Sequence, residues 1–246
     1  MTEYILNPAV NVEKARHPDP EVSVHVVDDF LENAEQLLQY AQQKAYFGQV
    51  GDDRTAYPGI RDRLPRSYDR VLQKIVEFIY GVSVIAVHRS MLSLTTLDPG
   101  KLGASQKIPH VDSVNDSQYA AVHYLCGPPH GGTAFYRYLP RNLVRVREQN
   151  REVIPEMLQQ VHDYPEEHRG YLVDDTKFYR RELTVDAQFN RLVLYPSNLL
   201  HCAILDSPQS YESDVTTGRL TVASFFQLEA DKFTSASEQS DLTTAS

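Results

Sequence analysis

The chain of 246 residues has no tryptophan and only two cysteines, Cys126 and Cys202. Two cysteines are too few for a disulfide framework, so both read as reduced thiols of a cytoplasmic protein. Basic residues are in deficit, with 24 Lys and Arg against 33 Asp and Glu and a formal net charge of -9. A general nucleic-acid binder needs the opposite balance, because it must neutralise phosphates. No apolar run approaches the roughly 18–20 residues of a membrane span, and MTEYILNPAV lacks the basic-then-apolar pattern of a secretory signal. Neither a nucleic-acid nor a membrane partner is therefore expected. The Gly131-Gly132 pair resembles no phosphate loop, since neither a helix start nor a lysine follows it.

What is present is an ordinary globular composition, 41% hydrophobic and 23% charged, long enough for one domain with a substantial core. Residues 1–21 read as a loosely held N-terminal arm and 22–230 as a single domain. The apolar-poor stretch 231–246 reads as a disordered tail. Helical support is expected over 28–81. VSVHVV (22–27) reads as a strand, and Asn33 with Gln36 three positions on reads as an N-cap with its capping-box partner. Leu37, Leu38, Tyr40 and Ala41 supply that helix with an apolar stripe. A second helix fits SYDRVLQKIVEFIYG, where Val71, Leu72, Ile75, Val76 and Ile79 recur at three and four and Gly81 can end it. From residue 82 the pattern turns to short β-rich runs: SVIAVHRSMLSLTTL, YAAVHYLC, GTAFYRY, NRLVLYP, LLHCAIL and RLTVASFFQL. Six such runs between Gly, Pro, Asn and Asp turns indicate an all-β sandwich or barrel. Residues 140–182, with a helix around 151–162, form an insertion longer than any hairpin needs.

Within KIPHVDSVND, His110 stands two residues before Asp112. Composition alone gives about one His-x-Asp triplet by chance, and a second copy, His17-Pro18-Asp19, lies in the arm, where no sheet would hold it rigid. The His110 copy gains weight from its surroundings. In a strand, residues i and i+2 share a face, so His110 and Asp112 can aim inward together. A third ligand is available in His201, where the strand-like Leu192–Tyr195 breaks at Pro196-Ser197-Asn198 and the chain resumes. Two imidazoles and one carboxylate on one face of an octahedral ion leave three positions open, which is the ligand set of non-haem Fe(II) oxygenases. His123 should face away from such a site, and His130 reads as a loop residue.

Several motifs then fall in a familiar order. HVD at 110–112 is followed by HYLCGPPHGGTAF, then by FNRLVLYPSNLLH and by GRLTVASFF, while VVDDFLENAEQLLQYA lies upstream. In this the chain resembles the 2-oxoglutarate/Fe(II)-dependent dioxygenase superfamily, particularly its prolyl-hydroxylase-like branch, over roughly residues 22–228. The resemblance implies a double-stranded β-helix, a jelly-roll cupin-like core that is mostly β with N-terminal helices. It also implies an enzyme that consumes O2 and 2-oxoglutarate at Fe(II) and releases succinate and CO2. His110, Asp112 and His201 would bind the iron. Arg219 would hold the distal carboxylate of 2-oxoglutarate, Tyr124 would donate its hydroxyl to the same carboxylate, and Thr221 would line that pocket. Two departures from the pattern are Cys126, where an asparagine is usual, and the long His201–Arg219 spacing. The intervening DSPQSYESDVTTG reads as a lengthened hairpin that leaves its strands paired.

A small-molecule or peptide substrate is implied, with hydroxylation of an amino acid, peptide or metabolite as the expected outcome. Because Asp112 occupies the carboxylate position, halogenation is not expected. Two other readings stay open on the residues alone: a cupin-like metalloenzyme that does not use 2-oxoglutarate, and a catalytically silent barrel serving as a binding module. Specificity is expected from residues 140–182, helped by AYPGIRDR (56–63) at the mouth. The insertion offers Arg145, Arg147, Arg180 and Arg181 for anionic groups, and Tyr164, Tyr171, Phe178 and Tyr179 for ring contacts.

Overall fold

In a computed structural model, residues 3–52 and 55–229 are described. The stretch 231–246, expected as a disordered tail, lies outside them. Two antiparallel sheets stack face to face. The larger runs β1-β2-β8-β5-β10-β4-β3, from β1 (Asn11–Ala15), β2 (Val24–Asp28), β3 (Gly59–Arg63), β4 (Val84–Thr95), β5 (Gln118–Tyr124), β8 (Leu192–Pro196) and β10 (Leu220–Leu228). The smaller runs β7-β6-β9, from β6 (Thr133–Tyr138), β7 (Tyr179–Val185) and β9 (His201–Ala203), and the single bridge His110↔His201 extends it beyond β9.

From β4 onward the chain alternates between the sheets. β4 lies in the larger, the His110 bridge in the smaller, β5 in the larger, β6 and β7 in the smaller, β8 in the larger, β9 in the smaller and β10 in the larger. This winding, with β8-β5-β10-β4 facing β7-β6-β9 and the bridge, is a double-stranded β-helix.

Alternation along the strands explains the layers. In β10, Leu220, Val222, Phe226 and Leu228 pack outward against helices α1 (Glu35–Gln43) and α2 (Arg66–Tyr80). Thr221, Ala223 and Phe225 face the interior of the barrel. Val24, Ala120, Tyr124, Val193 and Tyr195 of the larger sheet meet Phe135 and Val185 of the smaller in the layer between them. A third layer packs Ala134, Tyr136 and Tyr138 against Val153, Met157 and Val161 of α3 (Val153–Asp163), the helix of the insertion.

Helix α2 buries Val71, Leu72, Ile75 and Val76, each side chain contributing roughly 1.5–3 kcal/mol. It ends at Gly81, whose left-handed φ of 67° suits a residue without Cβ. Helix α1 begins later than its sequence signal. Its N-cap position is Ala34, because the Asn33 side chain is engaged with the N-terminal segment, accepting from Ile5 N and donating to Glu3 O.

The arm differs from expectation in two respects. Asn11–Ala15 extends the larger sheet at its edge by pairing with β2. His17, expected in a loose arm, lies 3.7 Å from the enclosed Glu182 carboxylate. The strands β1, β3 and β7 carry Lys14, Arg61, Arg63, Arg180 and Arg181, and such charged edge strands lack an apolar alternation that sequence reading detects. Among the described residues no helix is long and apolar enough to cross a membrane.

Candidate metal and anion site in the barrel

The structure brings His110, Asp112 and His201 together, with one ligand atom from each within 4.8 Å of the others. The first two do not sit on a regular strand. His110 makes a single bridge to His201, and Asp112 follows in a bend whose backbone N–H donates to Ser197 O at 2.8 Å. The Pro196-Ser197-Asn198 turn therefore holds the aspartate as well as leading into the second histidine. Asn198, fully buried, staples the same corner by donating to Asp116 at 2.7 Å and accepting from Arg145 Nε at 2.9 Å.

His201 opens β9 and is 5% exposed, its ring 4.7 Å from that of Tyr195. Its Nδ1 lies 2.8 Å from Leu199 O. A carbonyl oxygen only accepts, so Nδ1 donates to it and Nε2 is the nitrogen that faces the site. That Nε2 is 3.4 Å from Asp112 Oδ2, and His110 Nε2 is 3.8 Å from Asp112 Oδ1. The His110 side chain is half exposed, and desolvation together with His201 beside it lowers its imidazole pKa from the ordinary range. A neutral imidazole is the form a metal binds.

The cluster opens into a cavity of about 420 Å³ lined also by Thr133, Tyr195, Arg219 and Thr221. Arg219 is 3% exposed. It donates from Nη2 to Gly132 O at 3.2 Å, and its Nε has no hydrogen-bond partner among the described residues. A buried N–H of this kind costs free energy unless a ligand meets it.

The Gly-Gly turn makes this contact possible. Gly131 has φ of 72°, and a Cβ there would meet Ile204 O at 1.8 Å. Only glycine lets the turn press against the neighbouring chain and present both the Gly132 carbonyl and Thr133 to the cavity. Thr221 is buried and lines the cavity, as its i+2 relation to Arg219 implies.

Tyr124 is fully buried beneath Arg219, its ring centroid 5.6 Å from the guanidinium carbon. Its hydroxyl bonds Thr133 Oγ1 at 2.6 Å, so Tyr124 meets the cavity through that threonine. Burial pushes the phenol above its ordinary range, against the pull of Arg219, which keeps it protonated.

Other expectations are corrected. The 204–219 connection is not a hairpin between paired strands: β9 pairs with β6, whereas β10 pairs with β4 and β5. It crosses from the smaller sheet to the larger, and His130 fastens it through Nε2 to Thr217 O at 2.7 Å. The insertion's arginines do not reach the cavity either. Arg145 and Arg147 pair with Asp116, Arg180 with Glu182, and Arg181 with Asp174 and Val173 O. From residues 140–182 only Tyr171 and Leu172 line the cavity.

AYPGIRDR contributes more, with Ala56, Tyr57, Pro58 and Arg61 in the lining. Thr133, Tyr195 and Arg89 were not singled out in the sequence. Only the Gly-Gly turn beside Thr133 gave a signal.

His123 stands on the other face of β5, buried between Phe30 and Tyr68. Its Nε2 is 3.2 Å from Asn190 Oδ1 and its Nδ1 3.2 Å from the Tyr68 hydroxyl.

Three solved structures illustrate what the chain is similar to. HygX from Streptomyces hygroscopicus, with nickel, 2-oxoglutarate and hygromycin B bound, aligns with a TM-score of 0.48 and 11% identity, covering 83% of this chain and 82% of that one. The non-heme alpha ketoglutarate dependent epimerase SnoN from nogalamycin biosynthesis gives 0.46 and 12%, covering 83% and 76%. A prolyl hydroxylase in complex with a hypoxia inducible factor peptide fragment, from Trichoplax adhaerens, gives 0.41 and 12%, covering 83% and 82%. No curated protein matches the sequence. One family model does, over residues 8–226, and the chain therefore belongs to the family described as DUF6445, a family of unknown function.

Proposed function

We propose that this protein is an Fe(II)- and 2-oxoglutarate-dependent oxygenase that hydroxylates an amino-acid, peptide or small-metabolite substrate, with release of succinate and CO2. One observation carries the reading: two imidazole nitrogens and a carboxylate gather in the same cavity as a buried arginine whose Nε has no partner among the described residues. The donor set fits the ion. Cis ligands on a metal at ~2.0–2.2 Å stand about 3 Å apart, and the two His–Asp separations of 3.4 and 3.8 Å, with all three ligand atoms within 4.8 Å, lie near that spacing. Motif order resembling the prolyl-hydroxylase-like branch supports the same assignment. The free thiols Cys126 and Cys202 accord with a cytoplasmic protein.

Iron, when bound by His110, Asp112 and His201, would supply O2 activation at the positions these residues leave open. The rest falls to the chain. Arg219 binds the distal carboxylate of 2-oxoglutarate through a fork that cannot lose its charge, and Nε gains the partner it lacks. Thr133 and Thr221 line that end of the cavity, and the Tyr124 hydroxyl sets the Thr133 rotamer. Leu199 O orients His201 by fixing its tautomer. Ala120, Val122, Leu205 and Ala223 form apolar walls that limit water around the reacting groups.

The test is anaerobic reconstitution with Fe(II) and 2-oxoglutarate, then admission of O2 while succinate is followed by mass spectrometry. Succinate formed in proportion to protein and dependent on both additions is the expected result. Its absence while metal stays bound would favour the cupin-like or binding-module readings.

A further inference from the structure

The cavity has a second cationic end. Of the described residues that line it, Arg61, Arg89 and Arg219 are positive and only Asp112 is negative. In a chain with formal net charge -9 this local balance is not a consequence of bulk composition. Arg219 immediately precedes β10, whereas Arg89 on β4 stands across from Phe225, six residues further along the chain. At ~3.3 Å per residue the two arginines are anchored about 20 Å apart along the wall. One dicarboxylate cosubstrate bound between Arg219 and the metal ligands does not neutralise the Arg89 end.

Arg89 is built to receive an anion. Its guanidinium lies 4.8 Å from the Phe225 ring centroid, which fixes the plane of the fork and leaves its N–H edges available. Among the described residues no carboxylate lies within ion-pair distance of it, in contrast to Arg137, Arg141, Arg145, Arg147, Arg180 and Arg191. It also lines a side chamber of about 200 Å³ whose wall includes Asp112, Ser113, Gln118 and Phe225. Asp112 borders both spaces, so the chamber adjoins the candidate metal cluster. One guanidinium beside one aspartate, with His88 in the same wall, suits a monoanion, because a phosphate dianion facing Asp112 calls for more than a single permanent cation. Phe225 in the same wall suits an apolar stem behind the charge.

We propose that the substrate carries a carboxylate held by Arg89, at the end of the cavity remote from Arg219. The word substrate rests on the oxygenase reading; the anion site itself does not. The carboxylate belongs to a free acid or to an acidic side chain, and two probe pairs distinguish these sources. The first is phenylacetate against phenylacetamide. The second is an acetylated, amidated Ala-Glu-Ala tripeptide against its Ala-Gln-Ala counterpart.

Binding is measured by calorimetry on the full chain loaded anaerobically with Zn(II) and saturating 2-oxoglutarate. In at least one pair the acid should bind about tenfold or more tightly than its amide, as a charge-assisted hydrogen bond implies. Arg89→Gln should abolish that preference, and Arg89→Lys should restore part of it through charge without the fork. Acid and amide binding alike in both pairs, or a preference that survives Arg89→Gln, would overturn the proposal. A separate titration with 2-oxoglutarate distinguishes the two readings. Failure of 2-oxoglutarate to bind, with Arg89-dependent acid preference intact, defeats the oxygenase reading and leaves the anion site standing. Normal 2-oxoglutarate binding without acid preference does the reverse.

Discussion

His110 and His201 are tied by reciprocal backbone hydrogen bonds, His110 N to His201 O at 2.9 Å and His201 N to His110 O at 3.0 Å, with ring centroids 4.5 Å apart. On the His110 side the pairing is a single bridge, while His201 pairs on its other edge with Phe135 of β6. Its effect is to set two imidazoles side by side, with the Asp112 carboxylate within reach of both, before any ion arrives. Preorganisation of this kind makes three common residues a candidate metal site, which His17-Pro18-Asp19 does not match: there the His17 Nδ1 accepts from Asp19 N and its Nε2 faces Glu182.

Arg219→Ala should weaken 2-oxoglutarate binding by about one to two orders of magnitude, the scale of a charge-assisted hydrogen bond. Metal affinity should stay near that of the parent, since Arg219 touches none of the three ligands. Arg219→Lys should not restore full affinity, because an ammonium cannot reproduce a bidentate fork. An unchanged 2-oxoglutarate titration in Arg219→Ala would place the anchor elsewhere.

Tyr124→Phe removes the hydroxyl that bonds Thr133 at 2.6 Å while keeping the ring under Arg219. If Tyr124 works through Thr133, 2-oxoglutarate affinity should fall by less than in Arg219→Ala. Thr133→Val should then give a similar fall, and combining the two changes should add little beyond either alone. Full additivity of the two substitutions would show that each hydroxyl contacts the ligand independently.

His123 makes a testable statement about acid stability. Burial pushes its imidazole down to about 4 from the ordinary 6.5, against a raising hydrogen bond from Asn190. Between those values the unfolded chain binds the proton and the folded chain does not, so stability falls as pH drops from ~6.5 to about 4. The contribution is on the order of 3 kcal/mol at most. His123→Gln should flatten that part of the melting-temperature profile relative to the parent. Parallel profiles over this window would assign the acid sensitivity to other groups.

Much of the barrel was legible because its central strands follow strict alternation. In β10, even-numbered positions face α1 and α2 and odd-numbered positions face the cavity, and the sequence shows this directly. The gathering of His110, Asp112, His201 and Arg219 in one cavity was expected from the order of the motifs that carry them, not from their spacing. The 204–219 crossover was not legible. A turn-rich linker has the same composition whether it closes a hairpin or changes sheets, and only the partners of β9 and β10 distinguish the two. The insertion's arginines misled for a related reason: their partners Asp116, Glu182 and Asp174 lie far away in sequence or are unremarkable beside them. Arg89 escaped notice because a single arginine in SVIAVHRSMLSLTTL carries no pattern until β10 places Phe225 opposite it.

The central claim, that 2-oxoglutarate is held jointly by a metal on His110, Asp112 and His201 and by Arg219, is tested most directly by calorimetric titration of 2-oxoglutarate into the anaerobic protein with and without Fe(II). One equivalent should bind tightly to the metal-loaded parent and weakly to the metal-free protein. His201→Ala, which removes a ligand while leaving the barrel core in place, should bind weakly whether or not Fe(II) is added. Equal affinity with and without Fe(II) in the parent, or metal-dependent binding that persists in His201→Ala, would contradict the account.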